Sequence, residues 1–465
     1  MFIITDFQPS NQLQKILYGK SLLQSELLEF QSLLHEHFIN GYVAYSDAIS
    51  SKENHWICNQ CGTNKSYHFY QHECARCSKL CVYCRNCIMM GKSQQCVQLV
   101  TWIGPDVEFL QQEGPMRWGG KLSEGQEVAS NRVVQAILQK ETCLVWAVCG
   151  AGKTEVLFSG IEAALKLNQR VCIATPRTDV VLELAPRIKT AFPYTSIAAL
   201  YGGSEEKQNC AQLVISTTHQ LLRYDQAFDT IIVDEVDAFP YSMDQSLQFA
   251  VEKSRKSQSA LIYLTATASK QMQRLVAAKK LACVTIPARY HRHSIPVPQL
   301  KWTGNWKKIF SKGRIPSPLY QWFLQKIQLQ IPFLIFFPNI ERMNQYLPLF
   351  QKHDKNLSSV HAEDPERKAK VNHLRTGQVL GLLTTTILER GVTIPRLHVA
   401  VIGVEEDIFT ESALVQIAGR VGRSKEDPKG EVVFFHYGKT HEMVQAVKQI
   451  HKMNREARER GLIDD

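Results

Sequence analysis

Three groups of residues in this chain have types and spacings that could do chemistry. The stretch AVCGAGKTE, Ala147 to Glu155, sets Gly150, Ala151 and Gly152 directly ahead of Lys153 and Thr154. An apolar run precedes it and a helical pattern follows. Glycines at those positions let backbone amides turn inward around phosphates. Lys153 can reach the terminal phosphates, and the Thr154 hydroxyl can ligand Mg²⁺. Ala147 stands where the usual pattern has its first glycine. The second group is the pair Asp234 and Glu235, closing TIIVDEVD. An acidic strand end by itself is only solvated surface. Beside a phosphate loop, its first carboxylate can hold the metal shell and its second can orient or deprotonate an attacking water.

The third group is cysteine. Eight of the 13 cysteines lie between Cys58 and Cys96. Cys58 and Cys61, Cys74 and Cys77, and Cys84 and Cys87 form CxxC pairs, with Cys81 between the last two. Tetrahedral Zn²⁺ takes four thiolate or imidazole ligands, which two such knuckles supply without strain. Repeated CxxC spacing disfavours the plain alternative of buried free thiols. The pairing stays open. Cys58, Cys61, Cys84 and Cys87 can close one site, leaving Cys74, Cys77 and Cys81 with His72 or Cys96 for a second.

The elements that must position these groups follow from length and pattern. A chain of 465 residues is too long for one core and fits two large domains plus a smaller module. Residues 1–50 read as an N-terminal helical segment, with SLLQSELLEFQSLLHEHF apolar at helical spacing. Residues 51–97 form the cysteine module. In 98–288, apolar strands such as CLVWAV, RVCIATP, QLVISTT, DTIIVDE and SALIYLTAT alternate with helices. In 316–465 a second series follows, including FLIFFPN, VLGLLTTT, HVAVIGV and GEVVFFHYG. This alternation predicts an α/β fold with two tandem parallel sheets, each covered on both faces. Residues 289–315, rich in Pro, Gly and Lys, read as a basic interdomain connection.

Neither a secretory leader nor a membrane span is expected. The opening MFIITDFQPSNQ lacks the charge and apolar pattern of a leader, and the apolar runs fall short of the ~18 residues a span requires. The expected location is the cytosol, with docking on a membrane-bound partner left open. A formal net charge of +10 favours a polyanionic partner. That charge is concentrated: no Asp or Glu lies between Glu252 and Glu341, where 15 Lys and Arg occur.

The order of motifs resembles the second helicase superfamily, whose core is two RecA-like domains. LSEGQ resembles the segment whose glutamine reads adenine, here Gln126. ATPRTDVVLELAPRI, YGG and STTHQLL resemble strand-tracking segments, and TAT, Thr265 to Thr267, resembles the segment coupling hydrolysis to strand movement. FLIFFPN, TTTILERGVTIP and QIAGRVGR occupy the later positions, where Gln416, Arg420 and Arg423 match the glutamine and arginine fingers. The resemblance implies ATP hydrolysis with Mg²⁺.

The module ahead of the motor narrows the resemblance. YCRNCIMMG, followed by WGGKLSEGQ and TTTILERGVTIP, resembles the ComFA family of late-competence DNA translocases. It implies single-stranded DNA as track, ComFC-like and DprA-like partners, and docking at the inner membrane face on an uptake channel. The nearest alternative is a PriA-like primosomal helicase, whose chains generally carry a longer N-terminal DNA-binding region. A third reading is an ATP-gated scaffold with little turnover. The intact Lys153, Glu235, Arg420 and Arg423 favour an enzyme.

Within the acid-free interval, KWTGNWKKIFSKGR interleaves Trp302, Trp306 and Phe310 with Lys301, Lys307, Lys308, Lys312 and Arg314. Cations beside aromatics suit a single-strand-binding surface. The same composition also suits a linker whose aromatics pack on the second domain.

Overall fold

The structure is a computed structural model that describes residues 7–52, 55–206, 210–389 and 393–464. Part of TTTILERGVTIP, residues 390–392, thus lies outside the described residues.

Two parallel sheets carry the chain, the arrangement of tandem RecA-like domains. The first has seven strands in the order Ile197–Leu200, Leu213–Thr217, Val171–Thr175, Phe228–Val233, Arg255–Thr265, Thr142–Ala147 and Ala282–Ile286. The second has six: Gln299–Trp302, Val432–His436, His398–Ile402, Phe333–Phe336, Gly381–Thr384 and Ser358–Val360. Central strands such as VCIAT and FLIF are buried at every position. Helices on both faces leave such strands no polar side, so they read as continuous apolar runs.

The N-terminal segment is less helical than its pattern predicts. SLLQSELLEFQSLLHEHF splits into the strand Ser21–Leu23, two short 3₁₀ turns and the helix Gln31–Ile39. Ser21–Leu23 and Val43–Asp47 flank Gln98–Trp102 in a three-stranded antiparallel sheet. A strand partner far along the chain, Gln98–Trp102, overrides the local helical period. The cysteine module is therefore an insertion closed off by this sheet.

Residues 289–315 are mostly built into the second domain and are not a loose connection. Gln299–Trp302 is the edge strand of its sheet, and Trp306–Ser311 is a helix. Trp306 and Phe310 are 1% and 2% exposed, and Phe310 stacks on Tyr346 at 4.4 Å. These two aromatics cannot stack on bases. Lys307 pairs with Glu406. Of the three aromatics in that stretch, Trp302 alone is exposed.

The C-terminal helix His441–Glu459 follows the second sheet but returns to the first domain. Its Gln449 donates to the Ala266 carbonyl at 2.8 Å, and Glu456 accepts from the Thr285 hydroxyl at 2.5 Å.

Candidate functional site: an interdomain nucleotide cleft and two thiolate clusters

The phosphate loop leaves Thr142–Ala147 and enters the helix Lys153–Lys166. Gly150 and Gly152 both have positive φ, a backbone region that glycine adopts without strain. Asp234 and Glu235 follow Phe228–Val233, one strand removed in the same sheet. Asp234 Oδ1 accepts from the Glu235 amide at 2.9 Å, and Glu235 itself has φ 57°. A left-handed glutamate is uncommon. The loop, the acidic pair and Thr265–Thr267 meet at the carboxyl ends of three neighbouring strands, where ligands bind in open parallel sheets.

Residues from the second domain close over this edge. Gln416 accepts from the Cys149 thiol at 3.0 Å. Arg420 donates through Nε to the Glu389 carbonyl at 2.7 Å, and Arg423 to the Gly419 carbonyl at 3.2 Å. Gly419 allows the approach, because a side chain there would collide with Cys149. One cavity of about 570 Å³ is lined by Gly150, Lys153, Thr154, Asp234 and Glu235 from one side and by Gln416, Arg420 and Arg423 from the other. Ala151 and Gly152 complete its loop wall.

Gln126 does not line this cavity. It is 5% exposed, its Oε1 accepts from the Ser123 amide at 2.8 Å, and its Nε2 donates to the Ala151 carbonyl at 2.8 Å. In this arrangement it caps its helix and ties it to the glycine loop at Ala151.

Sequence reasoning missed Arg289. It is 1% exposed and donates to the carbonyls of Val421 at 2.7 Å and Gly419 at 3.3 Å, and also to that of Gly422. The guanidinium fork thus fixes the backbone around Arg420 and Arg423. A lone arginine in a Pro-rich stretch gives no sequence signal for this role. Arg375, at the end of the helix Arg367–Arg375, also lines the cavity. Arg367 reaches across to Asp179 at 3.3 Å. Burial would raise the Asp179 pKa, but hydrogen-bonded Arg177, with Arg367, holds it below the usual carboxylate range.

The cysteines resolve into two quartets. The sulfurs of Cys58, Cys61, Cys84 and Cys87 lie within 4.8 Å of one another, as do those of Cys74, Cys77, Cys81 and Cys96. Cys96, not His72, completes the second set; His72 instead meets Lys92. Sulfur–sulfur distances of 3.6, 3.8 and 3.7 Å, for Cys58–Cys87, Cys61–Cys84 and Cys74–Cys96, are far beyond a disulfide. A tetrahedron with Zn–S bonds of about 2.3 Å has edges of about 3.8 Å, so both quartets fit that ion. Hydrogen bonds from Cys61, Cys84 and Cys87 hold the Cys58 thiol well below its ordinary range, while the contact with Cys58 pushes Cys84 and Cys87 up. Four crowded thiols cannot all ionise unaided, and a divalent cation removes that conflict.

The first quartet belongs to the packing of the motor. Cys58, Cys61, Cys84 and Cys87 share one buried cluster with Leu221, Leu247 and Ala250 of the first domain. Gly62, just past the first knuckle, lies flat on the Phe249 ring, leaving no room for a side chain. Arg223, ending the 3₁₀ run Thr218–Arg223, donates to the Met90 carbonyl at 3.2 Å.

Comparison with known proteins agrees with this architecture. Residues 7–101 match the competence protein ComFA N-terminal domain, 120–270 the res subunit of type III restriction enzymes, and 319–425 the helicase conserved C-terminal domain. The chain is 48% identical over 446 residues to competence protein ComFA of Bacillus subtilis (strain 168), covering 96% of each chain. It is 37% identical over 377 residues to competence protein ComFA of Streptococcus pneumoniae (strain ATCC BAA-255 / R6), covering 81% of this chain and 86% of that one. Among solved structures, S. cerevisiae Dbp5 bound to RNA and ADP BeF3 superposes with a TM-score of 0.50 at 15% identity, covering 71% of this chain and 91% of that one. Mycobacterium smegmatis helicase Lhr bound to ssDNA and AMP-PNP gives 0.50 at 15%, covering 72% and 48%. These last two likenesses show the fold alone. Among the described residues, no helix is long and apolar enough to cross a membrane. With both motor domains, the cleft between them and the N-terminal module all accounted for, the chain belongs to the ComFA family, ATP-dependent helicase-like translocases acting on nucleic acid.

Proposed function

We infer that this chain moves single-stranded DNA inward during competence, using the interdomain cleft as its ATPase site. The observation that carries this reading is the single cavity that gathers catalytic types from both domains. Lys153 and the loop amides of Gly150 and Gly152 hold the β- and γ-phosphates. Thr154 and Asp234, both facing the cavity, would hold Mg²⁺, which supplies charge neutralisation at the phosphate oxygens. Glu235 orients and deprotonates the attacking water. Arg420 and Arg423 stabilise charge on the transferring group, and Gln416 positions them through the Cys149 contact. Gln126 holds the loop in shape.

Closure is then the mechanical output. The arginines reach the phosphates only with the second domain seated on the first, so hydrolysis and release open and shut the cleft. The exposed positions of the segments 174–188, 201–203 and 216–222 on one domain, and of 338–339 and 384–386 on the other, grip the strand alternately. Each cysteine quartet would hold one Zn²⁺, which supplies a crosslink between chain segments too short to form a core of their own. The competence name of both relatives supports transforming DNA as the cargo. Family resemblance alone supports ComFC-like and DprA-like partners and docking at the inner membrane face.

The test is phosphate release by the purified protein with single-stranded DNA, duplex DNA or RNA present. Strong stimulation by single-stranded DNA is expected. Equal rates with and without every polymer would overturn the reading.

A further inference from the structure

The cysteine module carries a groove that the motor does not use. It has a volume of about 440 Å³, within the range of small-ligand sites, and is lined by His55, Trp56, Asn64, Phe69, Tyr70 and Gln71 among others. No described lining residue bears a carboxylate, and none of the eight cysteines faces it. Tyr70 is 54% exposed, with the Arg85 guanidinium 5.3 Å from its ring centroid. Tyr67, nearby in sequence, is also exposed. From His55 to Pro105 the chain has one acid, Glu73, against Lys65, Arg76, Lys79, Arg85 and Lys92.

Each side of this lining has a nucleic-acid counterpart. Aromatic faces stack on any base, amide and imidazole groups can meet base edges, and the Arg85 guanidinium beside Tyr70 can meet a phosphate. The cysteine quartets keep the walls in place. Trp56 lies on the strand His55–Cys58, which ends in the first quartet. Phe69 and Tyr70 lie on Phe69–Glu73, paired with Leu80–Cys84, which carries Cys81 and Cys84. The module is also anchored beside a segment that resembles a strand-tracking one. Met90 is held by Arg223, at the end of the 3₁₀ run that begins within STTHQLL.

We propose that this groove stacks a base of single-stranded DNA, making the cysteine module a second grip on the strand beside the motor. This rests on the motor reading above and adds a site to it. A groove built for a protein partner would have no reason to depend on bases.

The test is binding of labelled oligodeoxythymidine, and of a matching abasic strand, to the full chain and to Tyr70→Ala and Tyr70→Phe. Tyr70→Ala should weaken binding to the base-bearing strand about tenfold, a typical value for losing one stacked base. Tyr70→Phe should bind like the parent. On the abasic strand all three should be equal. Zinc content and turnover at saturating single-stranded DNA should be unchanged, showing that the module and motor are intact. Equal binding of the base-bearing strand by parent and Tyr70→Ala would overturn the proposal, as would a difference that persists on the abasic strand. Lost DNA uptake in cells with unaltered strand binding would assign the groove to a protein partner, and so also overturn it. If the parent itself shows no strand-stimulated ATPase, the motor reading fails instead, and that result is read separately.

Discussion

Asp237 and Ser412 meet across the interdomain cleft, the serine hydroxyl donating to Asp237 Oδ2 at 2.5 Å. The other oxygen, Oδ1, accepts from Thr265 at 2.7 Å. One carboxylate thus ties together the loop after the acidic strand, the TAT segment and the start of the helix Glu411–Ala418 that leads to the fingers. Any opening of the cleft must break the Ser412 bond while Thr265 stays in the same domain as Asp237. Asp237→Ala should therefore uncouple closure from the strand. We expect strand-stimulated kcat to fall roughly tenfold, with ATP affinity within about twofold of the parent. Titration of a fluorescent ATP analogue alongside steady-state turnover checks both halves.

Arg289 poses a related question. Its planar fork reaches three carbonyls around the fingers, whereas a lysine is a point charge on a flexible stem. Arg289→Lys keeps the charge and loses the fork. Turnover should drop by about 10–100-fold with little change in KM for ATP, since the fingers act mainly in the transition state. Unchanged kcat would show that the finger loop holds its shape without it.

The thiolate quartets give a metal prediction. Mass spectrometry of the native protein, or elemental analysis, should find two zinc ions per chain. Cys58→Ser with Cys61→Ser should release one of them. Because that quartet is packed into the first domain's own core, the loss should also lower the domain's melting temperature, and basal ATPase should fall with it. Cys74→Ser with Cys77→Ser removes the other ion, from a partly exposed quartet, and should leave basal ATPase near the parent's.

Lys20 supplies a pH dependence. Burial, with Arg170 nearby, lowers its pKa to about 8, against an ordinary value of 10.5. A depressed lysine means the unfolded chain binds the extra proton more tightly, so the charged form opposes folding below about pH 8. That opposition fades as pH rises from about 8 to 10.5. Lys20→Met should thus be more stable than the parent at pH 7, on the order of 1–3 kcal/mol. The gap should narrow toward pH 10.5. Parallel denaturant titrations at several pH values measure it; a gap that widens with pH would contradict the assignment.

The sequence showed some of this and concealed the rest for physical reasons. The phosphate loop, the acidic pair and the finger string were legible because each is a local pattern whose chemistry depends on neighbours in the chain. The cysteine pairing was not, because three knuckles and two outlying residues satisfy tetrahedral zinc in more than one way. Trp306 and Phe310 suit base stacking by composition, yet their spacing of four places both on one face of a helix. Their burial in the second domain, with lysines on the other face, is what that spacing favours. The strand Ser21–Leu23 and the Arg289 fork depend on partners many residues away, and no local pattern reveals them.

The central claim is that both domains supply one ATPase site. Its most direct test is phosphate release at saturating single-stranded DNA by the parent, Lys153→Ala, Glu235→Gln and Arg423→Ala, with nucleotide affinity measured on the same samples. Glu235→Gln and Arg423→Ala should bind ATP within a few-fold of the parent and hydrolyse it at least about 100-fold more slowly. Lys153→Ala should lose hydrolysis and weaken nucleotide binding as well. Near-parental turnover in Arg423→Ala would contradict a site completed by the second domain, and near-parental turnover in Lys153→Ala would contradict the site altogether.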